Sequence, residues 1–135
     1  MERVRRSIGI FLILIVLLSG CAQVQKPAMD YTIRPCNAGE ERGTVFTISS
    51  LPGLTTIHQN QSYVCCANIT MTMKSEGKTL RIYEENIGEM CRCICPFEAD
   101  IEIRGTQGFG RVEIYGIKFR DVQDYELLFN SSLAG

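Results

Sequence analysis

Apolar and polar residues alternate with a period of two through most of the chain after residue 43. From Cys65 to Lys74, Cys65, Ala67, Ile69, Met71 and Met73 fall on one face and Cys66, Asn68, Thr70, Thr72 and Lys74 on the other, the pattern of a half-buried strand. Ser75-Glu-Gly-Lys78 supplies a hairpin turn, and Thr79 to Glu84 returns with Leu80 and Ile82 facing inward. Asn86-Ile-Gly88 turns the chain again, and residues 89–95 are expected to form the next strand. Phe97 to Arg104 alternates Phe97, Ala99, Ile101 and Ile103 against charged residues, and Arg111 to Ile117 follows with Val112 and Ile114 inside. Thr44 to Ile48, closed by the Pro52-Gly53 turn, and Tyr125 to Phe129 complete the set. Thr56 to Ser62 reads as a polar loop, and no aromatic patch is expected on the outer strand faces.

Helical spacing with caps is missing outside the signal segment, whereas six or seven short alternating runs are separated by Gly, Pro and Asn at hairpin distances. The fold class is therefore all-β. A small antiparallel two-sheet sandwich, immunoglobulin-like or related, is expected, with a small β-barrel as the alternative. The sequence has no tryptophan, so the Cys-Trp-Cys core of antibody domains is absent. If residues 65–73, 79–84 and 89–95 formed a three-stranded meander, Cys65 and Cys91 would be about 9.5 Å apart across the middle strand, too far for a disulfide. Either the third run crosses to the opposite sheet, or the thiols use Cys36 and another partner, or the meander does not form.

The first twenty residues follow another pattern. Arg3, Arg5 and Arg6 precede the uninterrupted apolar run Ile10 to Leu18, which is short for a membrane span, and Leu18-Ser19-Gly20-Cys21 closes it. Basic segment, apolar run and box, in that order, resemble the signal peptide and lipobox of prokaryotic lipoproteins. The resemblance implies cleavage before Cys21, a diacylglycerol on its thiol, and a partner in the lipid bilayer through acylated Cys21. It implies a cell-envelope, extracytoplasmic location. The expected organisation is a signal peptide over 1–20, a lipidated N-terminus and flexible tether over 21–37, and a β-sandwich domain over 38–135. The tether reading rests on polar composition with Pro27 and Pro35, and Tyr31-Thr32-Ile33 is its alternative as a first edge strand.

Composition narrows the partners. Of 14 basic and 15 acidic residues, removal of the leader takes Arg3, Arg5, Arg6 and Glu2, leaving 11 basic against 14 acidic. No Lys/Arg patch with interleaved aromatics occurs, and nucleic acid is not an expected partner.

The remaining chemistry lies in cysteine. Apart from Cys21, the chain's seven cysteines include Cys36, Cys65, Cys66, Cys91, Cys93 and Cys95, an even number that in an exported chain predicts a disulfide framework of undetermined pairing. In Cys91-Arg-Cys93-Ile-Cys95 the sulfurs would form a row on one strand face, in parity with Phe97, Ala99, Ile101 and Ile103 and so pointing into the core unless a bulge at Pro96 breaks the alternation. The same row suits thiolate binding of copper or zinc as an alternative to disulfides, although no Cys-x-x-Cys occurs and His58, the single histidine, falls in the polar loop, where an unengaged imidazole is expected. Thiol–disulfide exchange lacks a helix N-terminus to lower a thiol pKa. Gly105 to Gly110 has the glycine density of a phosphate loop without the following Lys-Ser/Thr and reads as a turn. Glu84, Glu85 and Glu89 flank a turn and are expected to be solvated rather than to act as an acid/base pair. No enzyme is expected, and no resident cofactor apart from the copper or zinc of the alternative reading.

Cys65-Cys66-Ala67, Ile82-Tyr-Glu84 and Cys91-Arg-Cys93-Ile-Cys95-Pro-Phe97 together resemble a group of small prokaryotic envelope lipoproteins of undetermined function carrying a Cys-x-Cys-x-Cys followed by an aromatic and an acidic residue, over residues 60–117. The resemblance implies a β-rich envelope domain and no activity. The expectation for the whole chain is a membrane-anchored protein whose cysteine-rich β domain has a binding or scaffolding role and is stabilised by disulfides, with a thiolate metal carrier or sensor as the alternative.

Overall fold

The computed structural model describes residues 25–34, 36, 43–121 and 124–133. The leader, Cys21 and the start of the tether lie outside the described residues. The described residues form eight strands and no helix: β1 (Ala28–Arg34), β2 (Val45–Leu51), β3 (Leu54–Val64), β4 (Ile69–Glu76), β5 (Thr79–Asn86), β6 (Ile94–Arg104), β7 (Arg111–Phe119) and β8 (Glu126–Ser132). They make two four-stranded sheets in the orders β1-β6-β3-β2 and β4-β5-β7-β8. Neither closes into a barrel, and the fold is a small β-sandwich.

Alternation explains the layering. β6 buries Phe97, Ala99, Ile101 and Ile103, β5 buries Leu80 and Ile82, and β7 buries Val112 and Ile114. These inward faces form one apolar cluster with Ile57, Met71 and Leu133. Each fully buried leucine or isoleucine there contributes about 1.5–3 kcal/mol. At one side the layers meet through Phe46 of β2 and Phe129 of β8, whose rings stack at 4.8 Å. Hairpins join β2 to β3 and β4 to β5, with Gly53 at φ 81° and Gly77 at φ 57° in the turns, a conformation glycine adopts without steric cost.

The meander is replaced by a crossover. After β5 the chain passes into the other sheet as β6, antiparallel to β3, then returns as β7, which lies parallel to β5. That parallel pair departs from the all-antiparallel immunoglobulin sheets. Residues 89–93 are loop, and the alternation from Cys65 becomes strand at Ile69, with Cys65 and Cys66 in a turn.

Two strands lie where polar composition had suggested otherwise. Ala28–Arg34, inside the expected tether, is an edge strand paired with β6 from Ala28↔Arg104 to Arg34↔Glu98; this is the alternative reading of Tyr31-Thr32-Ile33. Thr56 to Ser62, expected as a loop, is the centre of β3. Its inward face carries Thr55, Gln59 and Gln61 beside Ile57, all buried, so polar side chains conceal a strand at the middle of its sheet. The outer face of the second sheet does carry an aromatic group: Tyr83 and Tyr115 stack at 5.5 Å, and Tyr125 meets Tyr83 edge-on at 5.0 Å. Lys74, Arg81 and Lys118 lie over these rings. The three tyrosines come from separate runs and converge only through the crossover.

Candidate binding site at the disulfide end

The six cysteines other than Cys21 gather at one end of the sandwich. Disulfides join Cys36 to Cys95, Cys65 to Cys93 and Cys66 to Cys91, with Cα separations of 5.5, 5.4 and 6.1 Å, within the range a disulfide spans. The pairing follows from the ladder. β3 and β6 pair up to Val64↔Ile94, and one step further Cys65 N–H donates to the Cys93 carbonyl at 3.0 Å, which brings their side chains together. Cys66 then reaches Cys91, while Cys36, just past β1, reaches across to Cys95 at the start of β6. The row Cys91, Cys93, Cys95 is thus stapled to three different partners. Pro96 and Phe97 are both buried, so the alternation breaks at the proline.

The two loops at this end are laced by Asn86, which is fully buried. Its Oδ1 accepts from the Asn68 N–H at 3.0 Å and from the Gly88 N–H at 2.9 Å, and its Nδ2 donates to the Glu89 carbonyl at 3.1 Å. Gly88 completes the lacing by its smallness. A Cβ there would stand 2.7 Å from the Asn68 nitrogen and 2.9 Å from the Cys66 carbonyl oxygen.

Beside the staples lies a cavity of about 220 Å³, between the β1 edge of one sheet and the start of β4 in the other. Ile33, Val64, Ile69 and Phe97 give it apolar walls, and Cys36, Cys65 and Cys95 also line it. The sulfurs of those three cysteines lie within 4.8 Å of one another, bringing the Cys36–Cys95 disulfide against the Cys65–Cys93 disulfide. The site offers an apolar recess walled by sulfur. Its cysteines stand out in the sequence, whereas its apolar lining comes together from four separate segments. Asn86 and Gly88 were legible only as a turn.

Other singled-out residues lie elsewhere. His58 is not in a loop: it stands on the outer face of β3, its Nδ1 2.7 Å from Asp100 Oδ1, and Arg34 Nη2 donates to Asp100 Oδ2 at 2.9 Å. Glu84 is not solvated. It is fully buried, and its carboxyl pKa is pushed up to about 7 by burial, opposed by the hydrogen bond from Gln59. Gly105 to Gly110 is the connection between β6 and β7. Comparison with family models, curated proteins and solved structures found no match to this chain.

Proposed function

We propose that this protein is a lipid-anchored envelope protein with a binding or scaffolding role, whose disulfide end is the recognition end. The observation that carries this reading is the gathering of three disulfides at one end of the sandwich, two of them against one apolar cavity. Disulfides persist in oxidising, extracytoplasmic compartments, which agrees with the lipobox-like Leu18-Ser-Gly-Cys21. Among the described residues, no helix is long and apolar enough to cross a membrane; in this reading attachment rests on acylated Cys21. The Gln25 carbonyl packs near Gly105, at the end of β1 away from the cavity, so an anchor at Cys21, four residues earlier in the sequence, would join the domain at the end opposite the cavity. No catalytic step is assigned to it.

Expression of the full chain in a host that processes lipoproteins tests the anchor. A mature N-terminal peptide beginning at a diacylglycerol-modified Cys21, recovered from membranes, is the expected result. A Cys21→Ser chain should appear in the aqueous fraction. An unmodified Cys21 in the wild-type chain overturns the anchor.

The second reading, a copper or zinc carrier or sensor, is favoured by one observation: the proximity of the Cys36, Cys65 and Cys95 sulfurs. It requires these sulfurs as thiolates. Intact mass after alkylation separates the readings. Three disulfides predict no alkylation without reductant, whereas a metal site predicts thiols that react after chelation alone.

A further inference from the structure

We propose that Glu84, Gln59 and Gln61 form a proton-operated clasp between the two sheets, closed while Glu84 is a neutral carboxylic acid and slackened when it ionises. Gln59 and Gln61 project inward from β3 and Glu84 from β5, so the group bridges the layers. Gln59 Nε2 donates to Gln61 Oε1 at 2.8 Å and to Glu84 Oε2 at 3.2 Å. Glu84 Oε1 and Gln59 Oε1 are buried without a partner. A carboxylic acid proton on Glu84 gives the cluster one further donor where it now has excess acceptors. A carboxylate there would be a buried charge without a counter-ion, a costly state.

Among the described residues, none packed against Glu84 supplies such a counter-ion. Met71 of β4 is the cross-strand partner of Glu84. Ala99 and Phe97 of β6 are opposite Gln59 and Gln61, and Gly116 of β7 approaches so closely that its Cβ would stand 2.7 Å from that of Glu84. None of these titrates. The neighbouring charged residues serve the outer faces: Glu98 pairs with Arg34, Glu85 is opposite Lys118 in the ladder, and Lys118 lies over Tyr125.

Asn86 couples the clasp to the cavity end. It follows Glu84 by two residues on the same inward face and holds the loop leading to Cys91 and Cys93 through its bonds to Gly88 and Glu89. Ionisation of Glu84 shifts the strand segment that positions Asn86 and loosens that loop. The clasp depends neither on the anchor nor on what the cavity binds.

Infrared spectroscopy and amide exchange test it on the full chain with its disulfides intact. A protonated carboxyl C=O band should be present near pH 5, disappear as the pH rises through about 7, and be absent from Glu84→Gln. Corrected for intrinsic rates, protection of the Ile87, Gly88 and Glu89 amides should fall by about tenfold or more between pH 5 and pH 8 in the wild type and stay level in Glu84→Gln. Gln59→Leu removes the bond that favours the ionised form, so its carboxyl band should persist to higher pH. If the wild type shows no protonated band at pH 5, or its loop protection has the same pH profile as that of Glu84→Gln, the clasp is overturned. Should Glu84→Gln fail to fold, the wild-type and Gln59→Leu bands decide, and an unshifted band rejects the proposal.

Discussion

A carboxyl buried between two sheets responds to pH in the opposite sense from a carboxylate in an ion pair. The folded pKa of Glu84 is raised from 4.5 to about 7, so its stabilising contribution is fully present below the unfolded value and is lost as pH rises through the folded one. The shift corresponds to about 3 kcal/mol. Glu113 works the other way: hydrogen bonds from Tyr115 and Arg81 lower its pKa, so its contribution is present above the unfolded value and lost as pH falls through the lowered one. Denaturant unfolding should show wild-type stability declining from pH 5 to pH 8 relative to Glu84→Gln, and a flat difference rejects the assignment. Gly116→Ala offers a second check, since the added methyl would meet the Glu84 side chain at 2.7 Å. Overpacking of this kind costs about 1–3 kcal/mol, read as a lower denaturant midpoint. At this scale the sequence was partly legible: Leu80 and Ile82 had already set the inward parity of β5, and Glu84 continues it. Its proximity to Glu85 and a turn obscured that, because the decisive partner, Gln59, lies 25 residues away in the chain.

At the scale of elements, the cysteines and the strands define each other. Extending the β3–β6 ladder past Val64↔Ile94 brings Cys65 to Cys93, a pairing that cannot be read before β3 is recognised. β3 itself was hidden because the usual apolar stripe is replaced by Thr55, Gln59 and Gln61, whose burial depends on contacts across the sheets. By contrast, β5, β6 and β7 were legible from apolar alternation, since each must bury a continuous face. The Cys36–Cys95 bond ties the end of edge strand β1 into the sheet over a separation of 59 residues. Replacing both cysteines with serine should cost about 4 kcal/mol by the chain-entropy account, measured by denaturant unfolding without reductant. Protection should fall most in the β1 amides that pair with β6. Equal loss across all strands would show that the staple constrains the unfolded chain without specifically holding β1. At the other side of the sandwich, Phe129→Ala removes the ring stacked on Phe46 at 4.8 Å and should cost about 2 kcal/mol, less than a fully buried phenylalanine because both rings are partly exposed.

Across the whole molecule the sandwich has two chemically distinct ends. One gathers Gln25, the β2–β3 turn at Gly53, the β4–β5 turn at Gly77 and the β6–β7 connection; Gly105 N–H donates to the Gly53 carbonyl at 2.8 Å and Gly110 N–H to the Lys78 carbonyl at 2.8 Å. The other holds the three disulfides, the Asn86 lacing and the cavity. A strand of the length of β1, seven residues, separates them by about 20 Å. The proposed anchor would therefore enter from the end opposite the cavity, and the short linker Ala22-Gln-Val24 would leave the cavity end outermost. Lipidated protein on vesicles with quencher-labelled headgroups makes this measurable. A fluorophore on a cysteine replacing Lys78, at the entry end, should be quenched more strongly than one replacing Glu89, beside the disulfides, with the native disulfides verified in both variants. Equal quenching would mean that the linker lets the domain tumble without preference, and stronger quenching at position 89 would turn the cavity toward the bilayer. Either result would remove the argument that this recess is presented to partners away from the membrane.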